Sequence, residues 1–269
     1  MAVRALNRMV NWAFLFITAF QFLLMPIRNA IILAAGYGTR LGGYAKPLLE
    51  IGGKPLISHI VSKLEDIPNM ENIFVITNGL YCQKFREWSE NISTKPKLII
   101  INNGTVSNET RLGALKDIVF ALNFIYKDSL EDTLIITGDN IFENRMADIF
   151  QHYFNEPLIG LYDVDSLEKA GNFGVVQVDS KNMILNFDEK PQAPKSTLIS
   201  TGIYFYPAKT LRLLKKYVSD GNKTDRLGDF LAWLLENSQQ IFGFKLEGKW
   251  WDIGSIESLE SARAYYDKI

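Results

Sequence analysis

The chain has 269 residues, enough for one or two domains and for a sizeable core without disulfides or a structural metal. Hydrophobic residues at 47% and charged residues at 22% exclude a disordered chain, and a net charge of −1 gives no reason to expect a nucleic-acid partner. A single cysteine, Cys82, excludes an internal disulfide framework and Cys-based zinc, and fits a reducing compartment; two histidines, His59 and His152, leave little for a His-rich centre, so any metal is expected to be a hard cation held by carboxylates.

Residues 10–27 (VNWAFLFITAFQFLLMPI) form an apolar stretch preceded by Arg4 and Arg8 and followed by Arg28. Its length is near the minimum for a spanning helix, so it reads as a membrane-contacting helix, as a secretory signal lacking a convincing cleavage site, or as an extension upstream of a true start at Met25. The division expected is an extension over 1–28 and a catalytic-sized domain over 29–269.

From Asn29 onward, short apolar runs alternate with helical periods. Ala30–Ala34, Asn72–Thr77, Leu98–Ile101, Thr133–Thr137 and Pro157–Leu161 read as strands. Pro55–Leu64 reads as a helix with Leu56, Ile60 and Leu64 on one face, and Arg111–Tyr126 as another with Leu115, Ile118, Val119 and Leu122 inward. This alternation predicts βαβ units and an α/β fold with a mostly parallel sheet covered on both faces. After residue 170, Val175–Val178, Met183–Phe187 and Gly202–Tyr206 read as antiparallel additions, followed by helices over Ala208–Val218, Gly228–Glu236 and Glu257–Tyr266. Both histidines fall in helix-like stretches and read as surface or capping groups. Cys82 reads as a buried or half-buried, unactivated thiol.

The segment after the first strand, LAAGYGTRLGGYAKPL (Leu33–Leu48), carries the most information. Gly36, Gly38, Gly42 and Gly43 allow close approach of backbone N–H groups to an anion, and Arg40 and Lys46 add two cations. The pattern reads as a polyphosphate cradle. It is not the dinucleotide fingerprint, which needs glycine where Leu41 stands, nor a P-loop, which needs lysine where Tyr44 follows Gly43. Asp139 ends an apolar strand in TGDN, where α/β sheets bind ligands, and Asp252 in WWDIGS is a second candidate carboxylate. Taken alone, these two could equally be a helix-capping and a turn aspartate.

LAAGYGTRL followed by KPL, with ITGDNIF, FGVVQVD, FDEKP, STGIYFYP and WWDIGSIES in order, resembles the sugar-1-phosphate nucleotidyltransferases, the family of glucose-1-phosphate thymidylyltransferase. The resemblance runs from Asn29 to about Ala264. It implies a Rossmann-like three-layer α/β/α fold with a mixed, mostly parallel central sheet and antiparallel sugar-binding additions. It implies Arg40 and Lys46 as catalytic groups, and nucleotide binding by Leu33, Ala35, Gly36, Gly38, Thr39, Gly113 and Asp139. Gly174, Glu189, Lys190, Thr201 and Gly202 would bind the sugar phosphate, and Asp139 and Asp252 would hold Mg²⁺. The substrates implied are an NTP, with dTTP or UTP favoured, and a sugar-1-phosphate, with glucose-1-phosphate favoured.

The alternatives are a CTP-dependent enzyme acting on an alcohol phosphate such as phosphocholine or inositol phosphate, and a non-catalytic sugar-nucleotide sensor. A sensor would be expected to have lost the lysine or a metal carboxylate, and all are present. The base-reading stretch departs from the family: Asn102–Ile118 lacks a Gln-Pro pair, leaving Asn103, Asn108 and Arg111 as candidates to face the base or ribose. The location expected is cytoplasmic, with membrane contact through residues 10–27 and homo-oligomerisation left open.

Overall fold

The computed structural model describes residues 27–268. The N-terminal segment on which the membrane, export and start-site readings rest lies outside the described residues, apart from Ile27.

In chain order the elements are β1 (Asn29–Leu33), a short hairpin of β2 (Glu50–Ile51) and β3 (Lys54–Pro55), α1 (Leu56–Leu64), β4 (Asn72–Thr77), α2 (Cys82–Glu90), β5 (Lys97–Asn102), α3 (Ala114–Ile125), β6 (Thr133–Thr137) and β7 (Asn140–Phe142). There follow α4 (Met146–Phe150), β8 (Leu158–Asp163), α5 (Leu167–Ala170), β9 (Gly174–Val178), β10 (Ile184–Glu189), β11 (Leu198–Tyr206), α6 (Ala208–Ser219), α7 (Leu227–Glu236), β12 (Phe242–Lys245), β13 (Trp250–Asp252) and α8 (Ile256–Tyr266).

The main sheet runs β10-β9-β11-β6-β1-β4-β5, with β8 on β11 and β12 on β8. Its β6-β1-β4-β5 half is parallel, and β11, β9 and β10 add antiparallel strands beyond β6. Period-two alternation sends the parallel strands' side chains into two cores. Ile32, Val75 and Ile136 join α1 on one face, while Ile31, Phe74 and Ile135 join α3, α6 and α7 on the other. Both faces are therefore apolar, which is why these strands read as unbroken hydrophobic runs. The result is the three-layer α/β/α arrangement with a mixed central sheet.

Three expectations need correction, and one helix was not expected. The helix expected from Arg111 starts at Ala114, because Gly113 sits at φ +89°, outside helical space, and the N–H of Leu115 bonds the Thr224 carbonyl instead. The strand expected from Gly202 begins at Leu198, and a register shift between Ser200 and Tyr204 carries it past Gly202. Residues 82–90 form a helix that few apolar residues announced; only Cys82 and Phe85 are buried on it. His59 is no surface group: it is half-buried on α1, donates from Nε2 to the Ile51 carbonyl at 2.8 Å, and burial lowers its pKa. His152 is exposed, just past α4, and Cys82 is buried, as expected.

No helix among the described residues is long and apolar enough to cross a membrane.

Candidate active site

β1 delivers the chain into the glycine-rich loop at the carboxyl end of the parallel sheet. The N–H of Ala34 still bonds the Ile76 carbonyl at 2.8 Å, and the loop then closes on itself: the Gly38 carbonyl accepts from the N–H groups of Leu41 (2.9 Å) and Gly43 (3.0 Å). Gly38 holds φ +60°, and a Cβ there would overlap the Tyr44 carbonyl oxygen, so no other residue fits this turn. The loop is braced from beneath by residues between β4 and α2. The Tyr81 hydroxyl reaches the carbonyls of Tyr37 (3.2 Å) and Gly43 (2.5 Å), and Asn78 donates to the Ala35 carbonyl at 3.0 Å. A cavity of about 280 Å³ opens above the loop, lined among others by Leu33, Gly36, Gly38, Thr39, Lys46 and Asp139.

Asp139 follows β6, the strand beside β1, so loop and carboxylate meet at the same sheet edge. Lys46 Nζ donates to Asp139 Oδ2 at 3.4 Å, its side chain only 15% exposed. The ribbon of β7 and β13 brings Asp252 to the same place. Asp252 pairs with Asn140, and the N–H of Ile253 bonds the Asp139 carbonyl at 2.8 Å. Asn140 donates to Thr137 Oγ1, and its own side-chain oxygen is buried without a hydrogen-bond partner among the described residues.

Two carboxylates and a spare amide oxygen are hard donors, a set that fits Mg²⁺ shared with phosphate oxygens and water. No cluster of three or more acidic, His or Cys ligands forms among the described residues, so the protein does not by itself build a full cage.

A second cavity of about 350 Å³ shares Ala114, Thr137 and Asp139 with the first. Its walls include Gly174 from β9, Glu189 and Lys190 from the end of β10, Thr201 and Gly202 from β11, and Asp252. Glu189 is wedged between two glycines. A Cβ on Gly228 would fall 2.5 Å from Phe187 Cζ and closer still to Glu189 Oε2, and one on Gly174 would fall 3.3 Å from the same oxygen. Burial pushes the Glu189 carboxyl above its usual range, against the opposing pull of Arg226 and Lys190. Lys190 takes a left-handed backbone (φ +49°), uncommon outside glycine, and its N–H bonds the Phe173 carbonyl at 3.0 Å. Gly202, at φ +77°, presses on Thr137, the residue that holds Asn140.

The structure thus gathers Leu33, Gly36, Gly38, Thr39, Lys46 and Asp139 around one cavity and Gly174, Glu189, Lys190, Thr201, Gly202, Asp139 and Asp252 around its neighbour. The Arg40 side chain lies outside the described ones; its backbone sits in a 3₁₀ turn, Thr39–Leu41. Ala35 serves the loop through its carbonyl, and Gly113 stands just before Ala114, which lines both cavities.

The residues expected to face the base behave differently. Asn103 is buried, donating to Asp117 Oδ1 at 2.8 Å and accepting from the backbone and hydroxyl of Thr105. Arg111 forks onto Asp225 at 3.1 and 3.2 Å, and neither it nor Asn108 lines either cavity. Sequence reasoning missed Arg226 and Gly228 on the second cavity and the Tyr81 brace. None of these belongs to a motif, although the Thr-Asp-Arg before an apolar helix placed a cation at a helix start.

The profile of the family described as nucleotidyl transferase matches residues 29–268. The bifunctional protein GlmU of Methanocaldococcus jannaschii is 32% identical over 247 residues, covering 90% of this chain and 55% of that protein. The protein of the same name from Methanococcus maripaludis (strain C7) is 35% identical over 232 residues, covering 84% and 51%. The chain spans about half the length of the curated relatives it matches. A candidate glucose-1-phosphate thymidylyltransferase from Bacillus anthracis, solved in complex with sucrose, superposes with a TM-score of 0.73 at 25% identity, covering 90% of this chain and 96% of that one. A UDP-glucose pyrophosphorylase complexed with UDP-glucose shares the fold, with a TM-score of 0.71 at 22% identity over 90% and 100%. With the profile match spanning almost every described residue, the chain belongs to the nucleotidyl transferase family, among the sugar-1-phosphate nucleotidyltransferases its motifs resemble.

Proposed function

We propose that the chain transfers a nucleotidyl group from an NTP to a sugar-1-phosphate. An oxygen of the sugar phosphate bonds to the α-phosphorus, the bond from that phosphorus to the bridging oxygen breaks, and its electron pair leaves with pyrophosphate. The observation that carries this reading is the shared wall. Asp139 belongs both to the cavity over the glycine loop and Lys46 and to the cavity holding Glu189 and Lys190, so two anionic substrates would meet at one carboxylate.

The nucleophile is already anionic, so no general base is needed, and rate comes from positioning and charge neutralisation. The loop N–H groups and Arg40 would hold the β- and γ-phosphates, and Lys46 would face the α-phosphate and the incoming oxygen. Lys190 and Arg226 would hold the sugar phosphate, and Glu189 would accept from sugar hydroxyls. Asp139 and Asp252 would hold Mg²⁺, which when bound offsets phosphate charge. We favour UTP or dTTP with glucose-1-phosphate, and place the reaction in the cytoplasm, where NTPs are made.

The test is pyrophosphate release across UTP, dTTP, CTP, GTP and ATP with glucose-1-phosphate, N-acetylglucosamine-1-phosphate and phosphocholine, with and without Mg²⁺. Turnover with a sugar-1-phosphate is expected. Turnover with phosphocholine alone moves the chain to the alcohol-phosphate branch, and none with any pair overturns the reading.

A further inference from the structure

A third cavity of about 590 Å³ adjoins the sugar-phosphate cavity and shares Asn172, Phe173, Trp250 and Asp252 with it. Apart from Asp252, none of its lining residues has a role in the proposed reaction. Aromatic rings from four residues line it: Tyr162, Phe173, Trp250 and Trp251. Trp250 is fixed between Tyr162 (centroids 5.5 Å apart) and Phe173 (5.6 Å, edge to face). Trp251 is fixed by Tyr265 at 5.1 Å and by its indole N–H on Ser261 Oγ at 3.3 Å. Consecutive strand residues point to opposite faces, so a cavity touching both tryptophans wraps around the edge of β13. All four residues are half-buried, so each keeps some surface toward the cavity.

The polar lining sets the charge of an occupant. Carboxylates of Asp163, Asp165, Asp252 and Glu257 line the cavity against one ammonium, Lys169. Lys245 pairs with Asp163 at 3.0 Å, and acids still outnumber bases. A phosphate or carboxylate ligand would meet repulsion here, and this cavity lacks the arginine that accompanies Lys190 beside the carboxylates of the sugar-phosphate cavity. Rigid aromatic faces with carboxylate and serine acceptors at their edges suit a ring that is apolar on its C–H face and rich in hydroxyl donors at its rim.

We propose that this cavity is a second carbohydrate site, taking an uncharged pyranose beside the sugar-phosphate site. Its occupant would touch Trp250 and Asp252, which both sites share, so binding at the two is coupled.

The test uses the full chain and methyl α-D-glucopyranoside, an uncharged pyranose without a phosphate, observed by saturation-transfer NMR. It needs no turnover, so its outcome is separate from that of the pyrophosphate assay. Saturable transfer that persists in Glu189→Gln is expected, with affinity weakened at least about fivefold in Trp251→Ala. Ser261→Trp, which fills the cavity from an exposed helix position, should do the same without removing a packed ring. Absence of saturable transfer into the tens of millimolar would overturn the proposal. So would loss in Glu189→Gln with Trp251→Ala and Ser261→Trp unaffected, because the probe would then sit in the first sugar cavity.

Discussion

Gly228→Ala perturbs the sugar side of the site by one methyl group. The added carbon would lie 2.5 Å from Phe187 Cζ and nearer to Glu189 Oε2, where ordinary contact needs about 3.4 Å or more. Ring and carboxylate must therefore both yield by about 1 Å. Phe187 is 7% exposed and packed in the α3–α6–α7 core, so the Glu189 carboxylate is the softer of the two. Overpacking of this kind costs about 1–3 kcal/mol, and replacing glycine in a helix returns up to about 1 kcal/mol, leaving a net loss of up to about 3 kcal/mol and a Tm lower by up to roughly 12 °C. The functional loss should be larger. A 1 Å displacement of a positioning carboxylate costs on the order of 100-fold in kcat/KM for the sugar-1-phosphate. The KM for the NTP should stay within about twofold, because the loop cavity does not include Glu189 or Gly228. Initial rates of pyrophosphate release, with each substrate varied at saturation of the other, separate the two constants. A folded variant with an unchanged sugar-1-phosphate kcat/KM would refute both the wedging of Glu189 and its role.

Lys46→Ala and Asp252→Asn should each lower kcat by about 10²- to 10³-fold in the same assay while circular dichroism stays native. Tyr81→Phe removes the hydroxyl that ties the carbonyls of Tyr37 and Gly43, and should raise the NTP KM several-fold with little change in the sugar-1-phosphate KM, read from the same paired titrations. Burial raises the Asp117 carboxyl from 3.8 to about 6, opposed by the hydrogen bond from Asn103. The stability this lends is fully present below pH 3.8, the unfolded value, and is lost as pH rises through about 6. The loss is of order 3 kcal/mol. Asp117→Asn keeps an acceptor for Asn103 and should flatten that part of the stability–pH curve, raising Tm at pH 8; a denaturation series from pH 4 to 8 that runs parallel to wild type would remove Asp117 as its source.

The parallel half of the fold was legible because each strand faces two cores, and a strand buried on both sides can only be an apolar run. NIFVIT and TLIIT became β4 and β6 without adjustment. What escaped was held by contacts remote in sequence. β7 and β13 are three residues each and exist because they pair across more than a hundred positions. α2 buries only Cys82 and Phe85, too narrow a stripe for periodicity to register. Asp139 and Asp252 could be nominated from their motifs, but only the pairing of Asn140 with Asp252 brings them together. The surroundings of the base-facing candidates were illegible for a related reason. Nothing local to Asn103 in the sequence reveals that Asp117 and Thr105 already engage its side chain.

The register shift in β11 carries a consequence for how such a protein can diversify. That single strand lies against β6, which presents Asp139, and also touches β9, which begins the sugar wall. In the proposed reaction, main-chain geometry would set the reach between donor and acceptor, while the groups proposed to contact the sugar phosphate stand on β9, β10 and the start of α7. Exchanging those groups would retune which acceptor is admitted and leave the line of attack where it is.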